Sequence, residues 1–149
     1  MRAVVQRVTS ATVTVEGRVV GAIEQGLLVY VGIAQGDGAD DTAYIAQKLV
    51  GLRIFADAEG RLDRSVEDVG GAVLLVSQFT LYGDCRRGRR PSFDKAAAPA
   101  AARVAYEGLA EAVRRLGVPV CTGQFQAHMT VASHNDGPVT LLIESSREW

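Results

Sequence analysis

Two stretches of this chain are apolar on both of their alternating faces, and they constrain the fold more than any other feature. Leu27-Leu28-Val29-Tyr30-Val31-Gly32-Ile33 follows Gln25-Gly26, and Ala72-Val73-Leu74-Leu75-Val76 follows Gly70-Gly71. Successive side chains of a strand point to opposite faces, so a strand with no polar face must be covered on both sides. Both runs are bounded by glycine and too short for a helix, which predicts two central strands of a sheet. The longest apolar run, Gly26 to Ala34, falls well short of the roughly 20 residues that span a bilayer as a helix.

Strands and helices can be placed around this pair. Ala3 to Val8 and Ala11 to Glu16 read as two strands, the second with Ala11, Val13 and Val15 on one face. Gly17 punctuates them, and Arg18 to Ile23 reads as the returning arm of a hairpin. Asp37 to Asp41 open a helix whose positions Ala43, Ala46, Leu49 and Val50 recur at helical spacing until Gly51. Leu52 to Phe55 reads as a short strand and Asp57 to Gly60 as a turn. The clearest helix runs from Pro99 to Leu116. Ala105, Leu109, Ala112, Val113 and Leu116 form its apolar face, Glu111 and Arg115 pair at i,i+4, and Gly117 follows its end. Val118 to Cys121, Met129 to Ala132 and Val139 to Ile143 read as final strands, with Asn135 to Pro138 as a turn between the last two. The whole is an α/β chain with mixed sheets, and at 149 residues it is one domain.

Charge and cysteine narrow the function. Sixteen Lys and Arg against 17 Asp and Glu give a net charge of −1 and a pI near 6.1. That excludes coating DNA or a membrane by bulk charge and leaves room for a small basic patch. Cys85 and Cys121 are too few for a disulfide framework. The charged start Met1-Arg2-Ala3-Val4-Val5-Gln6-Arg7 does not read as a secretion signal, so a soluble cytoplasmic protein is expected. No P-loop, GxGxxG, HExxH or EF-hand occurs, and His128 and His134 lack neighbours at zinc spacing, so no cofactor and no metal are expected.

Three segments carry candidate chemistry. Ser77-Gln78-Phe79-Thr80-Leu81 follows the second apolar strand, and the end of a central strand is where α/β proteins place their sites. Its hydroxyls and amide hydrogen-bond, and backbone N–H groups freed there suit an oxyanion. The plainer role is to cap and turn the chain. Arg86, Arg87, Arg89 and Arg90 cluster within five residues. They suit bidentate phosphate contacts, or serve simply as a solvated loop. In Asn135-Asp136-Gly137-Pro138 the Gly–Pro bond is one that can be cis, and Gly137 allows close approach of a ligand to the backbone. Nucleophile pairs such as Ser77–His134 or Cys85–His128 are open on sequence alone, without a GxSxG elbow to support them.

Taken together, VSQFTLYGD (Val76 to Asp84), GRRPSF (Gly88 to Phe93), TGQFQAHMTV (Thr122 to Val131) and NDGPVT (Asn135 to Thr140) closely resemble the D-aminoacyl-tRNA deacylases. MRAVVQRV, GLLVYVGI and LRIF extend the resemblance over essentially the whole chain. The resemblance implies a three-layer β/β/α domain, numbered 1–149 here, with two main helices packed on one side. It implies a cytosolic homodimer that hydrolyses the ester of D-aminoacyl-tRNA, and of glycyl-tRNA mischarged on tRNA-Ala, as translational proofreading. Ser77, Gln78, Phe79 and Thr80 match the active-site motif. Gly137 and Pro138 match a cis Gly–Pro pair that reaches into the partner's active site and excludes an L side chain sterically. Met129 matches a residue near the adenine pocket; Arg86, Arg87, Arg89 and Arg90 would meet tRNA phosphates, and Asn135 would belong to the substrate-binding set. Two views of catalysis follow. In one, Thr80 is the nucleophile. In the other, which we favour, the tRNA 2′-hydroxyl helps activate water and the Phe79 N–H holds the oxyanion, since an unassisted hydroxyl is a weak nucleophile. His128 stands where the family usually has an acid, and Asp63 where it more usually has Asn. The competing functions are a non-catalytic RNA-end binding module and a general esterase using Ser77 or Cys85.

Overall fold

A computed structural model describes residues 1–148. The chain runs through β1 (Arg2–Val15), β2 (Arg18–Ile23), β3 (Gly26–Gly32), α1 (Ala39–Gly51), β4 (Phe55–Ala56), β5 (Leu62–Arg64) and β6 (Ala72–Ser77). A 3₁₀ turn (Phe79–Tyr82) follows, then α2 (Pro99–Arg115), β7 (Val120–Thr122) and β8 (Thr130–Glu144). The sheet order is β2-β1-β3-β6-β7, with β8 also on β1, and β4-β5 forms a separate small ribbon. The doubly apolar β3 is the central strand, as its sequence predicts. It pairs in parallel with β6, and β6 in parallel with β7. Both parallel steps cross over through a helix, α1 for the first and α2 for the second.

β1 organises the layers. One edge pairs with β3 over Arg2–Val8 and then with β2 over Ala11–Val15, while the other edge follows β8. The sequence reads as two strands separated at Thr9 and Ser10. The structure has one, because irregularities of register on either side of Val8 absorb the polar pair without ending the ladder. Alternate residues of the sheet (Ala3, Val5, Leu27, Val29, Val31, Val73 and Leu75) pack against Ile45 and Leu49 of α1 and Leu109 and Val113 of α2. On the opposite face Leu28, Leu74 and Val76 meet Val8, Ala11, Val13 and Ile23, so the far half of β1 folds back with β2 as a second β layer. A Cβ on Gly21 of β2 would collide with the Thr122 carbonyl oxygen of β7, which fixes how closely that layer lies. The arrangement is three layers, β/β/α, with both helices on one side. Each fully buried Leu or Val contributes about 1.5–3 kcal/mol to it.

The helix ends follow from their residues. The Asp41 carboxylate accepts the Gly38 N–H at 2.9 Å, and Asp40 and Asp41 sit at the positive end of α1. α2 starts on Pro99, carries Arg114 and Arg115 in its last turn, and stops at Gly117 with φ of 94°. Two further expectations differ from the structure. Leu52 to Ile54 form no strand; only Phe55–Ala56 pair, with β5. Asn135 to Pro138 do not reverse the chain, because they lie inside the single strand β8.

Candidate active site

The ladder between β3 and β6 ends at the pair Val31 and Ser77. The next N–H, on Gln78, still donates to the Val31 carbonyl at 2.8 Å. The chain then tightens into the 3₁₀ turn, with the Leu81 N–H donating to the Gln78 carbonyl at 3.2 Å. The first amides of any helical turn have no acceptor within it, so the N–H groups of Phe79 and Thr80 have none within theirs. The Thr80 hydroxyl oxygen accepts the side-chain N–H of Gln78, and Thr80 itself is exposed. Phe79 is 55% exposed, an unusual position for a large apolar ring.

Ser77, Gln78 and Phe79 form one wall of a cleft of about 640 Å³. The facing walls come from three other places in the sequence: Phe93 after the arginine loop, Pro99 and Ala102 at the start of α2, and Phe125 to Met129 between β7 and β8. Phe93 packs its ring edge-on to Phe79, with centroids 5.0 Å apart. The wall bearing Phe125 is fixed from below by Tyr106 of α2, whose ring centroid lies 5.8 Å away. Tyr106 is buried, its hydroxyl donates to the Leu75 carbonyl of β6 at 2.7 Å, and burial pushes its pKa up to about 12. Among the described residues lining this cleft, His128 carries the one imidazole; the rest offer hydroxyl, amide, sulfur, aromatic and aliphatic surfaces. Phe93 and Phe125 are not singled out by the sequence as site residues, and an aromatic in a loop is the signal that marks them; His128, a candidate only as a partner of Cys85, lines this cleft without Cys85.

The arginine loop is clamped at its base. Asp84 and Ser92 exchange backbone hydrogen bonds, 2.7 Å from the Asp84 N–H and 3.0 Å from the Ser92 N–H. Phe93 follows at once, so the loop and one cleft wall share an anchor. Arg87, Arg89 and Arg90 are exposed at the tip. Arg86 instead turns back on Asp84, with Nε to Oδ1 at 2.9 Å and Nη2 to Oδ2 at 2.6 Å. The Arg86 guanidinium and backbone N–H hold the Asp84 carboxyl well below the usual carboxylate range.

Gly137 and Pro138 lie at the opposite end of the sheet, with a cis peptide between them. β8 takes five steps from Asn135 to Thr140 while its partner β1 takes two, from Val8 to Gln6. The excess bulges out of the strand. Asn135 closes the bulge from inside: its amide oxygen accepts the Val139 N–H at 3.0 Å and its NH2 donates to Thr140 Oγ1 at 2.9 Å. Arg7 holds it from below, donating to the Asp136 carbonyl at 3.2 Å and to the Ile54 carbonyl at 2.5 Å. Gly137 has φ of 126°, and a Cβ there would come within 2.9 Å of Arg7 Nη2, so glycine is required.

The structure brings Ser77, Gln78, Phe79 and Met129 together at the cleft, with Thr80 beside them. Asn135, Gly137 and Pro138 are not among the residues that line it. Thr140 is level with Gln6, Gln6 with Leu28, and Leu28 with Leu74. From there Ser77 is roughly 10 Å along the strands and roughly 14 Å across three strand spacings. Neither sequence-level nucleophile pair forms in this arrangement. His134 Nδ1 meets Ser10 Oγ at 2.9 Å on the neighbouring strand, and Cys85 lines a separate depression with Arg2, Tyr82 and Lys95. Among the described residues no group of three or more His, Cys, Asp or Glu could hold a metal ion. No helix among them is long and apolar enough to cross a membrane.

Residues 4–144 match the family model described as D-Tyr-tRNA(Tyr) deacylase. A protein of Heliobacterium modesticaldum named D-aminoacyl-tRNA deacylase is 60% identical over 144 residues, covering 97% of this chain and 96% of that one. Its namesake in Fervidobacterium nodosum is 56% identical over 147 residues, covering 99% of each. A solved structure named c-Myc DNA Unwinding Element Binding Protein superposes with a TM-score of 0.92 at 39% identity, covering 97% of this chain and 98% of that one.

Proposed function

Because the chain belongs to the D-Tyr-tRNA(Tyr) deacylase family, a family of aminoacyl-tRNA ester hydrolases, we propose that it cleaves the ester between a D-amino acid and the 3′-terminal adenosine of tRNA. Glycyl-tRNA mischarged on tRNA-Ala is included, and L-aminoacyl-tRNA is spared. The observation that carries the mechanism is the make-up of the cleft beside Ser77 to Thr80. Its lining offers no carboxylate, amine or thiol among the described residues, and the Thr80 hydroxyl is engaged by the Gln78 amide. His128 supplies the one imidazole of the lining, and no hydrogen bond among the described residues joins it to the Ser77 or Thr80 hydroxyl to activate either as a nucleophile.

In this mechanism water attacks the ester carbonyl carbon, and the 2′-hydroxyl of the terminal ribose relays a proton, accepting one from the water as it passes its own toward the 3′ oxygen. The oxygen of the tetrahedral intermediate faces the Phe79 N–H, a donor fixed by the 3₁₀ turn. The bond to the 3′ oxygen then breaks, that oxygen receives the proton, and a carboxylic acid and free tRNA leave. Phe79, Phe93 and Met129 offer surfaces on which the adenine stacks. Arg87, Arg89 and Arg90 meet the phosphates that precede it, which a chain of net charge −1 can do locally.

Chirality is assigned to Gly137 and Pro138 of a second copy. Their separation from Ser77 within one chain supports supply in trans, so the functional unit is a homodimer in which each bulge enters the partner's cleft. Carbonyl groups set against the substrate's α-carbon exclude an L side chain whatever its chemistry, which lets one site serve many amino acids. Translation takes place in the cytoplasm, and the protein is placed there.

The test is release of tyrosine from matched D-Tyr-tRNA and L-Tyr-tRNA, with chelator present, by the wild type and by Thr80→Ala. Loss of the D form alone, retained within about tenfold by Thr80→Ala, is the expected result; a tenfold change is 1.4 kcal/mol of barrier. Loss of both forms means an esterase without a chiral filter. Bound but intact tRNA means an RNA-end binding module. Abolished turnover in Thr80→Ala with tRNA still bound makes Thr80 the nucleophile.

A further inference from the structure

A second depression, of about 810 Å³, runs along the outer face of α1 and carries Tyr44, Gln47 and Lys48, with Arg53 after the helix and Arg147 from the tail that follows β8. Three cations line it and, among the described residues, no acid does. The Tyr44 ring has the Arg147 guanidinium 4.9 Å and the Lys48 ammonium 5.5 Å from its centroid. Two positive heads gathered on one ring repel each other, and an anion between them relieves that repulsion. Arg53 pairs with Asp63 at 3.3 Å, but both are exposed, and such a pair exchanges for a phosphate at little cost. The carbonyl end of α1 opposes an anion, and Lys48 in the last turn offsets it. The acids of α1, Asp40 and Asp41, lie in its first turn, and Glu148 beside Arg147 is exposed.

The position of this groove matters as much as its charge. Arg53 adjoins Ile54, whose carbonyl accepts the same Arg7 guanidinium that holds Asp136 of the β8 bulge. Groove and bulge are therefore one side chain apart. We propose that the groove binds the phosphodiester backbone of the tRNA strand whose 3′ end occupies the partner's cleft. This rests on the reading that the bulge enters that cleft, because the groove then travels with it to the cleft's mouth. It is a cationic contact separate from the loop at Arg86 to Arg90, and it comes from the other subunit.

The test compares wild type with Lys48→Ala/Arg147→Ala on D-Tyr-tRNA and on D-tyrosyl-adenosine, which has the ester and no phosphate. The expected result is a KM for D-Tyr-tRNA raised about fivefold or more, with kcat little changed. The loss on tRNA should exceed the loss on D-tyrosyl-adenosine at least about fivefold. The plot of log KM against log salt should become shallower by about 1.4, at roughly 0.7 per single-strand phosphate contact. An unchanged KM and slope in a dimeric, active protein overturns the proposal alone. Equal losses on both substrates, or a variant that sediments as a monomer, overturns it too, by assigning the groove to folding or to the subunit interface. An active wild-type monomer sinks the trans reading beneath it, and a wild type inert on both substrates sinks the deacylase reading itself.

Discussion

At Ser77 the chain leaves the β3–β6 ladder and does not return, whereas β8 leaves its ladder after Asn135 and is back on β1 by Thr140. Both interruptions put backbone on display, and they are held differently. The exit at β6 is surrounded by apolar and aromatic walls from three other segments, so its shape is set by packing. The bulge of β8 is exposed and pinned by point contacts, chiefly the Arg7 guanidinium and the Asn135 amide. Packing degrades gradually as atoms are removed, while a directional contact is present or absent. The two regions should therefore fail in different ways: the cleft in affinity, the bulge in selectivity.

The sharpest way to break that distinction is Arg7→Ala. It removes the donors to Asp136 and Ile54 and leaves the bulge without its lower support. Hydrogen bonds from a charged donor are worth about 1.5–3 kcal/mol. The ratio of kcat/KM for D-Tyr-tRNA over L-Tyr-tRNA is expected to fall by about 10-fold to 100-fold, measured on protein confirmed to be folded and dimeric. A ratio that survives unchanged means that the bulge does not set chirality.

Phe93→Ala addresses the other side. It deletes the ring that packs on Phe79 and carries the arginine loop's anchor into the cleft wall. A base stacked on an aromatic ring gains about 1–3 kcal/mol, so KM for D-Tyr-tRNA should rise about tenfold with the D/L ratio unchanged. A fall in the ratio comparable to that of Arg7→Ala would erase the division between the regions.

The same contrast explains what could be read from the sequence. β3 and β6 were legible because a strand buried on both faces has no polar positions, and α2 because its stripe, its Pro99 start and its Gly117 stop agree. The polar end of β6 stood out against the apolar run before it. The bulge of β8 reads as a turn because Asn-Asp-Gly-Pro has turn chemistry, and no local signal separates a strand that reverses from one that swells and continues. β1 reads as two strands for a related reason, since Thr9 and Ser10 interrupt its alternation without ending its pairing. The aromatic walls at Phe93 and Phe125 are products of tertiary assembly: nothing near either residue states that it will face Ser77. His128, read as a local departure, lines the cleft for the same reason.

The smallest effect concerns a contact that ties the turn after β6 to the far end of β8, the strand that carries the bulge. Arg2 donates from Nε to Glu144 at 2.5 Å, at the end of β8, and from Nη1 to the Leu81 carbonyl at 3.2 Å, in the 3₁₀ turn. Its guanidinium also lies 4.6 Å from the Tyr82 ring centroid. Burial alone raises the pKa of Glu144, but the Arg2 pair and the Ser146 hydroxyl outweigh it, and the net direction is down from the ordinary value of 4.5. A carboxyl whose pKa is lower folded than unfolded stabilises the fold above its unfolded value, and that stabilisation is lost as the pH falls through the folded one. Glu144→Gln keeps an acceptor oxygen and removes the charge. A charge-assisted bond is worth about 1–2 kcal/mol more than its neutral counterpart, and a chain of this size loses about 2–4 °C of Tm per kcal/mol. Wild type should therefore melt about 2–8 °C above Glu144→Gln between pH 5 and 7, and the gap should shrink as the pH falls below the ordinary carboxyl value of 4.5. The D/L ratio should not move, because the contact stabilises the turn and the strand end without touching the bulge. A gap that persists undiminished at pH 3 means that the charge of Glu144 is not what joins them, and a shifted D/L ratio means that the two regions are coupled in selectivity as well as in stability.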